Sequence, residues 1–146
     1  MRSILARMLQ IGLLVFGSAA LADDPSVITA DEAFGQATAG TLTIIDVRTP
    51  AEWKQTGVIP GAQLIDVTQG GGAASFVDQV DRVTRGDKSR PIAVICRSGN
   101  RSAGARSMLL AGGYTAVRHI PDGMSGNAGG PGWIKRNLPT EPCPTC

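Results

Sequence analysis

Pro91-Ile-Ala-Val-Ile-Cys-Arg-Ser-Gly-Asn-Arg-Ser102 is the stretch that decides the fold. Pro91–Ile95 is the most apolar strand-like run in the chain and the natural centre of a sheet. It ends in Cys96. A short loop containing Gly99 follows, and then a helical stretch, Ser102–Leu110, closed by Gly112 and Gly113 as a C-cap signal. A buried strand that runs through a tight loop into a helix is half of a βαβ unit.

The same alternation extends outward in both directions. Upstream, Leu42–Val47 is apolar and β-branched, a second buried strand. Thr49-Pro-Ala-Glu52 is a capping box with proline at the first helical position, so a short helix starts there and stops at Gly57. Ala62–Ile65 reads as another strand, Gly70–Gly72 as a turn and Ala73–Val83 as a helix. Ser26–Thr29 is a candidate first strand, followed by a helix over Asp31–Ala37 capped by Thr29 or Asp31. Downstream, Thr115–Ile120 is the last strand. The expected fold class is α/β: a three-layer domain with a central parallel sheet of about five strands and helices on both faces. Ligands of such sheets bind at the carboxyl ends of the strands. That singles out three loops: Arg48–Thr49, Cys96–Arg101 and the long, Gly-rich Pro121–Gly132, which reads as a wall or rim of the site.

The Cys96 loop has the residues of an anion nest. Backbone N–H groups around Gly99 can turn inward, the following helix contributes its positive end, and Arg97 and Arg101 add full charges. Each of these features stabilises a thiolate over a thiol, which makes Cys96 a candidate nucleophile that needs no histidine base. The single histidine, His119, lies on another strand, and nothing in the sequence places it beside Cys96.

With these residues in view, the chain resembles the rhodanese (sulfurtransferase) family. The resemblance rests on Asp46-Val-Arg48, Glu52-Trp53, Gly57-Val-Ile-Pro-Gly-Ala62 and Cys96-Arg-Ser-Gly-Asn-Arg-Ser102, in that order, and spans about residues 26–140. It implies that Cys96 is the catalytic residue. Cys96 would take a sulfane sulfur from a donor such as thiosulfate, become a persulfide, and yield the sulfur to cyanide or a thiol. Arg97, Ser98, Gly99, Asn100 and Arg101 would form the substrate-binding cradle. Thiosulfate is a dianion and sulfite leaves as another, so a positive nest suits both ends of the reaction. The alternative on the same residues is a carrier module that holds a persulfide for an exported partner enzyme. Related phosphatases and arsenate reductases resemble this fold but carry one more residue between Cys and Arg; here four residues separate Cys96 from Arg101, and the shorter loop favours sulfur. Asp46 and Arg48 are secondary candidates, either a structural ion pair or a support that orients the Cys loop. Two departures stand out. Val58 occupies a position where many relatives have histidine, and the turn after Ile120 is stretched into Asp122–Gly132 before Trp133, a large aromatic expected to pack under a final helix.

Composition sets the frame. The 146 residues suit one domain, and a net charge of +2 with 4% aromatic content is poor material for a nucleic-acid surface. Residues 1–22 read as a secretory signal peptide: Arg2 and Arg7, the apolar run Met8–Phe16, then small residues ending Ala20-Leu21-Ala22. Its removal takes two of the 14 basic residues and none of the 12 acidic ones, leaving a formally neutral mature domain, 23–146. Export is expected, to the periplasm in a Gram-negative source, with no membrane association afterwards, and the domain is read as a monomer. Its expected partners are a small anionic donor and a thiol or cyanide acceptor, with an exported protein partner as a further candidate. No cofactor or metal is called for. The tail, Pro142-Cys143-Pro-Thr-Cys146, admits a local disulfide, a resolving dithiol for Cys96 or half of a metal site, and the oxidising compartment favours the disulfide.

Overall fold

The computed structural model describes residues 24–146; the signal-peptide reading of residues 1–22 lies outside them. Four parallel strands, β1 (Thr43–Asp46), β2 (Gln63–Leu64), β3 (Ile92–Ile95) and β4 (Val117–His119), lie in the order β2-β1-β3-β4. Four helices accompany them: α1 (Ala30–Thr38), α2 (Pro50–Thr56), α3 (Gly72–Thr84) and α4 (Asn100–Ala111).

Side-chain alternation along the strands sorts the core into two faces. Ile92 and Val94 of β3, with Cys96 just past its end, face a cluster with Ile45 and Val47 of the β1 segment, Phe76 and Val80 of α3, and Ala105 and Leu109 of α4. Ala93 and Ile95 face the other cluster, with Ile44, with Ala30 and Ala33 of α1, and with Ile120, Met124 and Trp133. All four β3 residues are fully buried, as their unbroken apolar run requires of a central strand covered on both faces.

Connectivity fixes where a ligand belongs. From β1 the chain moves outward to β2, whereas from β3 it moves the opposite way to β4. The sheet order therefore reverses between β1 and β3, and such a switch point opens a crevice at the strands' carboxyl ends. The loops opening onto it are Val47–Thr49 and Cys96–Gly99.

Two expectations are corrected. The first strand, Ser26–Thr29, contracts to a single parallel bridge between Val27 and His119 beside β4, so the sheet has four strands and not about five. Pro25 precedes that residue and Thr29 is already the N-cap of α1, its side chain accepting from the Glu32 backbone N–H, so no length remains for a ladder. The final helix is also absent among the described residues: the segment after Pro121 is a series of turns, with Asn137 in the left-handed region at φ 57°. Prolines at 131 and 139 and the glycines before them break any helical run. Trp133 is buried all the same, fully inaccessible, its indole N–H donating to the Pro139 carbonyl at 2.9 Å and its ring meeting Phe34 edge-on.

Trp133 thus fastens the turn-rich segment to the sheet. Trp133→Ala should lower unfolding free energy by about 3–5 kcal/mol, measured by denaturant titration, and a loss under about 1 kcal/mol would show that the segment is held elsewhere.

Candidate active site

Cys96 sits just past β3, 1% exposed, at the foot of the loop that leads into α4. Three successive carbonyls of this loop are occupied from one side. The Cys96 carbonyl accepts from the Met124 N–H and the Arg97 carbonyl from the Ser125 N–H, both at 2.9 Å. The Ser98 carbonyl accepts from the Asn127 side-chain amide, also at 2.9 Å. Because a trans peptide is planar, each carbonyl held on one side sends the next residue's N–H to the opposite side. The N–H groups of Arg97, Ser98 and Gly99 are therefore turned away from the Gly-rich segment, and that of Gly99 donates to Cys96 Sγ at 3.1 Å. The segment read from sequence as a wall or rim of the site stands behind the Cys loop and sets its peptide orientation.

Two glycines permit this contact. Gly99, the N-cap of α4, has φ 101°, and a Cβ there would lie 2.1 Å from the Pro121 carbonyl oxygen. Gly123, at φ 61°, approaches the loop so closely that a Cβ would lie 2.5 Å from the Arg97 carbonyl oxygen. Neither position accommodates a side chain without moving backbone.

The charged residues divide by partner. Arg97 is exposed, and so is Asn100, while Ser98 is half-buried. Arg101 forks onto Glu52 of α2, with N–O distances of 2.8 and 2.7 Å. The bidentate bond, a charge-assisted one, holds the Glu52 carboxyl down at about 2 and raises Arg101 above its ordinary value. Glu52 also closes the α2 capping box by accepting the Thr49 N–H, so one carboxylate ties the start of α2 to the start of α4. Asp46 and Arg48 form a buried ion pair at 2.7 Å. Arg48 further donates to the Thr56 hydroxyl and the Gly57 carbonyl, which fixes the end of α2. Neither side chain bonds to the Cys loop; their influence reaches it through α2 and Glu52.

Two side chains given no role from sequence form a chain of contacts leading from the sulfur. The Cys96 thiol donates to Ser102 Oγ at 3.6 Å, and Ser102 Oγ lies 3.3 Å from His119 Nδ1. The signal was present in strand parity. Val94 pairs with His119 in the parallel ladder, so His119 shares the face of Val94 and Cys96, under α4. The tail lies apart: Cys143 and Cys146 are joined in a disulfide, Cα–Cα 5.5 Å, and Glu141 pairs with Val58 through two backbone bonds of 2.8 and 2.9 Å. A cavity of about 530 Å³ opens near the beginnings of the strands, lined by Phe34, Leu42, Ile44, Ile59 and Val83, away from the Cys loop.

Two outcomes follow from this geometry. Glu52 has a depressed folded-state pKa, so its contribution is complete above its ordinary value of 4.5 and is lost as pH falls toward about 2. With solvent screening that contribution is on the order of 1 kcal/mol. Glu52→Gln, which retains the capping box, should remove this acid-side component from a series of denaturation midpoints; an unchanged pH slope would refute the coupling. Gly123→Ala should slow alkylation of Cys96 by at least about tenfold while leaving far-UV circular dichroism unchanged, because it displaces the support of the Arg97 and Ser98 peptides.

The comparisons with known proteins agree with this architecture. The rhodanese-like domain family matches residues 29–128. Thiosulfate sulfurtransferase 16, chloroplastic, of Arabidopsis thaliana is 34% identical over 101 residues, covering 66% of this chain and 78% of its own. An uncharacterized protein of Rickettsia prowazekii is 32% identical over 100 residues, covering 67% and 81%. Among solved structures, thiosulfate sulfurtransferase from Pseudomonas aeruginosa superposes with a TM-score of 0.60 at 25% identity, over 80% of this chain and 20% of the larger protein. A protein from M. tuberculosis superposes at 0.62 and 28% identity, over 78% and 95%. With a parallel sheet reversing at β1 and β3, a cysteine loop at that switch point and a family match over residues 29–128, the chain belongs to the rhodanese-like domain family.

Proposed function

We propose that this protein is a sulfurtransferase that carries a sulfane sulfur on Cys96. The observation that supports it most directly is the Gly99 N–H donating to Cys96 Sγ, in a loop with four residues between Cys96 and Arg101. In the proposed cycle, the Cys96 thiolate attacks the outer sulfur of thiosulfate. The S–S bond breaks, sulfite departs with the bonding pair, and a Cys96 persulfide anion remains. The Gly99 N–H that now meets Sγ, and the N–H groups of Arg97 and Ser98, are placed for the anion and for the charge that develops on sulfite. Cyanide or a thiolate then attacks the terminal sulfur, and Cys96 leaves as thiolate. Because Arg101 is engaged by Glu52, exposed Arg97 is the more available charge for drawing in a dianion.

One observation favours a second reading. At 1% exposure, Cys96 is well shielded, which suits a carrier that keeps a persulfide from stray reductants until a partner enzyme docks. The phosphatase chemistry of related folds fits less well, since Arg101 is not free to clamp a tetrahedral oxyanion while it forks onto Glu52. We further propose that residues 1–22 are cleaved and the domain works outside the cytoplasm, as the signal-peptide pattern suggests.

Turnover of thiosulfate and cyanide by residues 23–146, with the mass of Cys96 followed after thiosulfate alone, separates these readings. An enzyme gives thiocyanate at a steady rate. A carrier gives a stable gain of one sulfur with negligible turnover. Cys96→Ser should abolish both while preserving the melting temperature, because a hydroxyl matches the thiol in size but forms no persulfide. Sulfur transfer surviving in that variant would overturn the assignment.

A further inference from the structure

Cys96 poses a proton problem. It is 1% exposed, yet a thiol must lose its proton before it can act as a nucleophile. Solvent has poor access to that proton. Ser102 Oγ, 3.6 Å from Sγ, is the acceptor of the thiol S–H, and it is itself fully buried. Ser102 has two choices for its own hydroxyl proton: the Gly99 carbonyl at 2.9 Å and His119 Nδ1 at 3.3 Å. His119 lies at the end of β4, only partly buried, and thus adjoins both the interior and solvent.

From this arrangement we infer that His119 is the proton acceptor for Cys96, acting through the Ser102 hydroxyl. With His119 neutral and carrying its hydrogen on Nε2, Nδ1 is free to accept. The Ser102 hydroxyl rotates from the Gly99 carbonyl to Nδ1. The thiol S–H bond breaks as a new O–H bond forms on Ser102, whose original O–H bond breaks as an N–H bond forms at Nδ1. Ser102 ends unchanged, Cys96 is a thiolate and His119 an imidazolium. No electrons are transferred to or from any outside species. His119 touches no reacting sulfur, so it is a positioning and proton-accepting residue that works through Ser102.

The surroundings of His119 set its resting charge, and the drive for uptake comes from the thiolate that forms beside it. The charged groups facing it are Arg106 from α4 and Asp24 from the segment before α1; β3, paired beside it, has no charged residue. Burial, and secondarily Arg106, depresses the imidazolium while Asp24 partly offsets them, so the ring is neutral and able to accept near neutral pH. Arg106 is itself held by the Val117 carbonyl at 2.9 Å and so stays near the ring.

This role deepens the sulfur-transfer reading and takes its purpose from it, but its test does not depend on sulfur. With Cys143 and Cys146 in a disulfide, Cys96 is the one free thiol, so the rate of iodoacetamide alkylation against pH reports its ionisation alone. His119→Gln keeps a hydrogen-bonding side chain but cannot take up the proton. It should shift the profile upward by about one pH unit, which is about a tenfold slower reaction near pH 6.5, with the two proteins converging at high pH. In a Ser102→Ala background the same change should have no further effect. Superimposed profiles for wild type and His119→Gln, or an equal shift that persists in Ser102→Ala, would overturn the inference. Should the glutamine variant fold poorly, the native ring answers the question, since His119 is the single histidine of the chain. Its NMR titration midpoint should fall in Cys96→Ser, which removes the thiolate that stabilises the imidazolium, and an unmoved midpoint would equally refute the relay. A shifted alkylation profile without thiosulfate turnover would count against sulfur transfer and leave the relay standing; turnover with superimposed profiles would do the reverse.

Discussion

Planarity of three peptide bonds is the constraint on which the site depends. The carbonyls of Cys96, Arg97 and Ser98 are each held from behind, by Met124, Ser125 and Asn127. A carbonyl fixed on one side leaves its partner N–H no choice but the other. The lining at Cys96 is thus built largely from backbone and is imposed by a segment up to 29 residues further along, between positions 122 and 132. Backbone donors arranged beforehand need little reorganisation when charge develops, and such preorganisation is where electrostatic stabilisation is strongest.

A second framework aligns the two loops of the switch point. Asp46 and Arg48 make a buried, well-bonded ion pair, and Arg48 extends it to the end of α2. A buried pair of this kind is weak evidence of net stability, but losing one partner strands a charge in the interior. Its worth here is geometric: it fixes α2, α2 presents Glu52, and Glu52 holds Arg101 at the first turn of α4. The charge of Arg101 is thereby tethered, and the orientation of the loop and of α2 become one problem instead of two.

Much of the fold was legible because local signals and tertiary demands agreed. Pro91–Ile95 has the unbroken apolar run of a strand buried on both faces, and the four residues of β3 are buried. Thr49 and Glu52 announce a helix start, and both reciprocal bonds of the capping box form. The errors came where local signals were ambiguous. Ser26–Thr29 has strand-like composition, but Thr29 is taken by the cap of α1. Trp133 suggested a helix to pack under, whereas an indole anchored to Pro139 does the work of burial without one. At the site, Cys96 and its glycine were readable from chemistry alone. The pairing of Glu52 with Arg101 spans 49 residues and has no periodicity to reveal it. His119 was set aside because the nest alone was read as enough to ionise Cys96; its parity with Val117 hinted at a core-facing side chain, and the register of Val94 with His119 brings it under α4.

Sequence order adds a further consequence. The chain is synthesised from its N-terminus, and Met124, Ser125, Asn127 and Trp133 all follow Cys96. Until those residues are made and Trp133 is seated, the carbonyls of the Cys96 loop have nothing to hold them, and the loop's amides point where local torsion allows. A nascent chain therefore carries the cysteine without its cradle, which is assembled only with the last fifth of the polypeptide. The geometry around the sulfur is in this sense a late product of folding, completed by residues that the ribosome adds last.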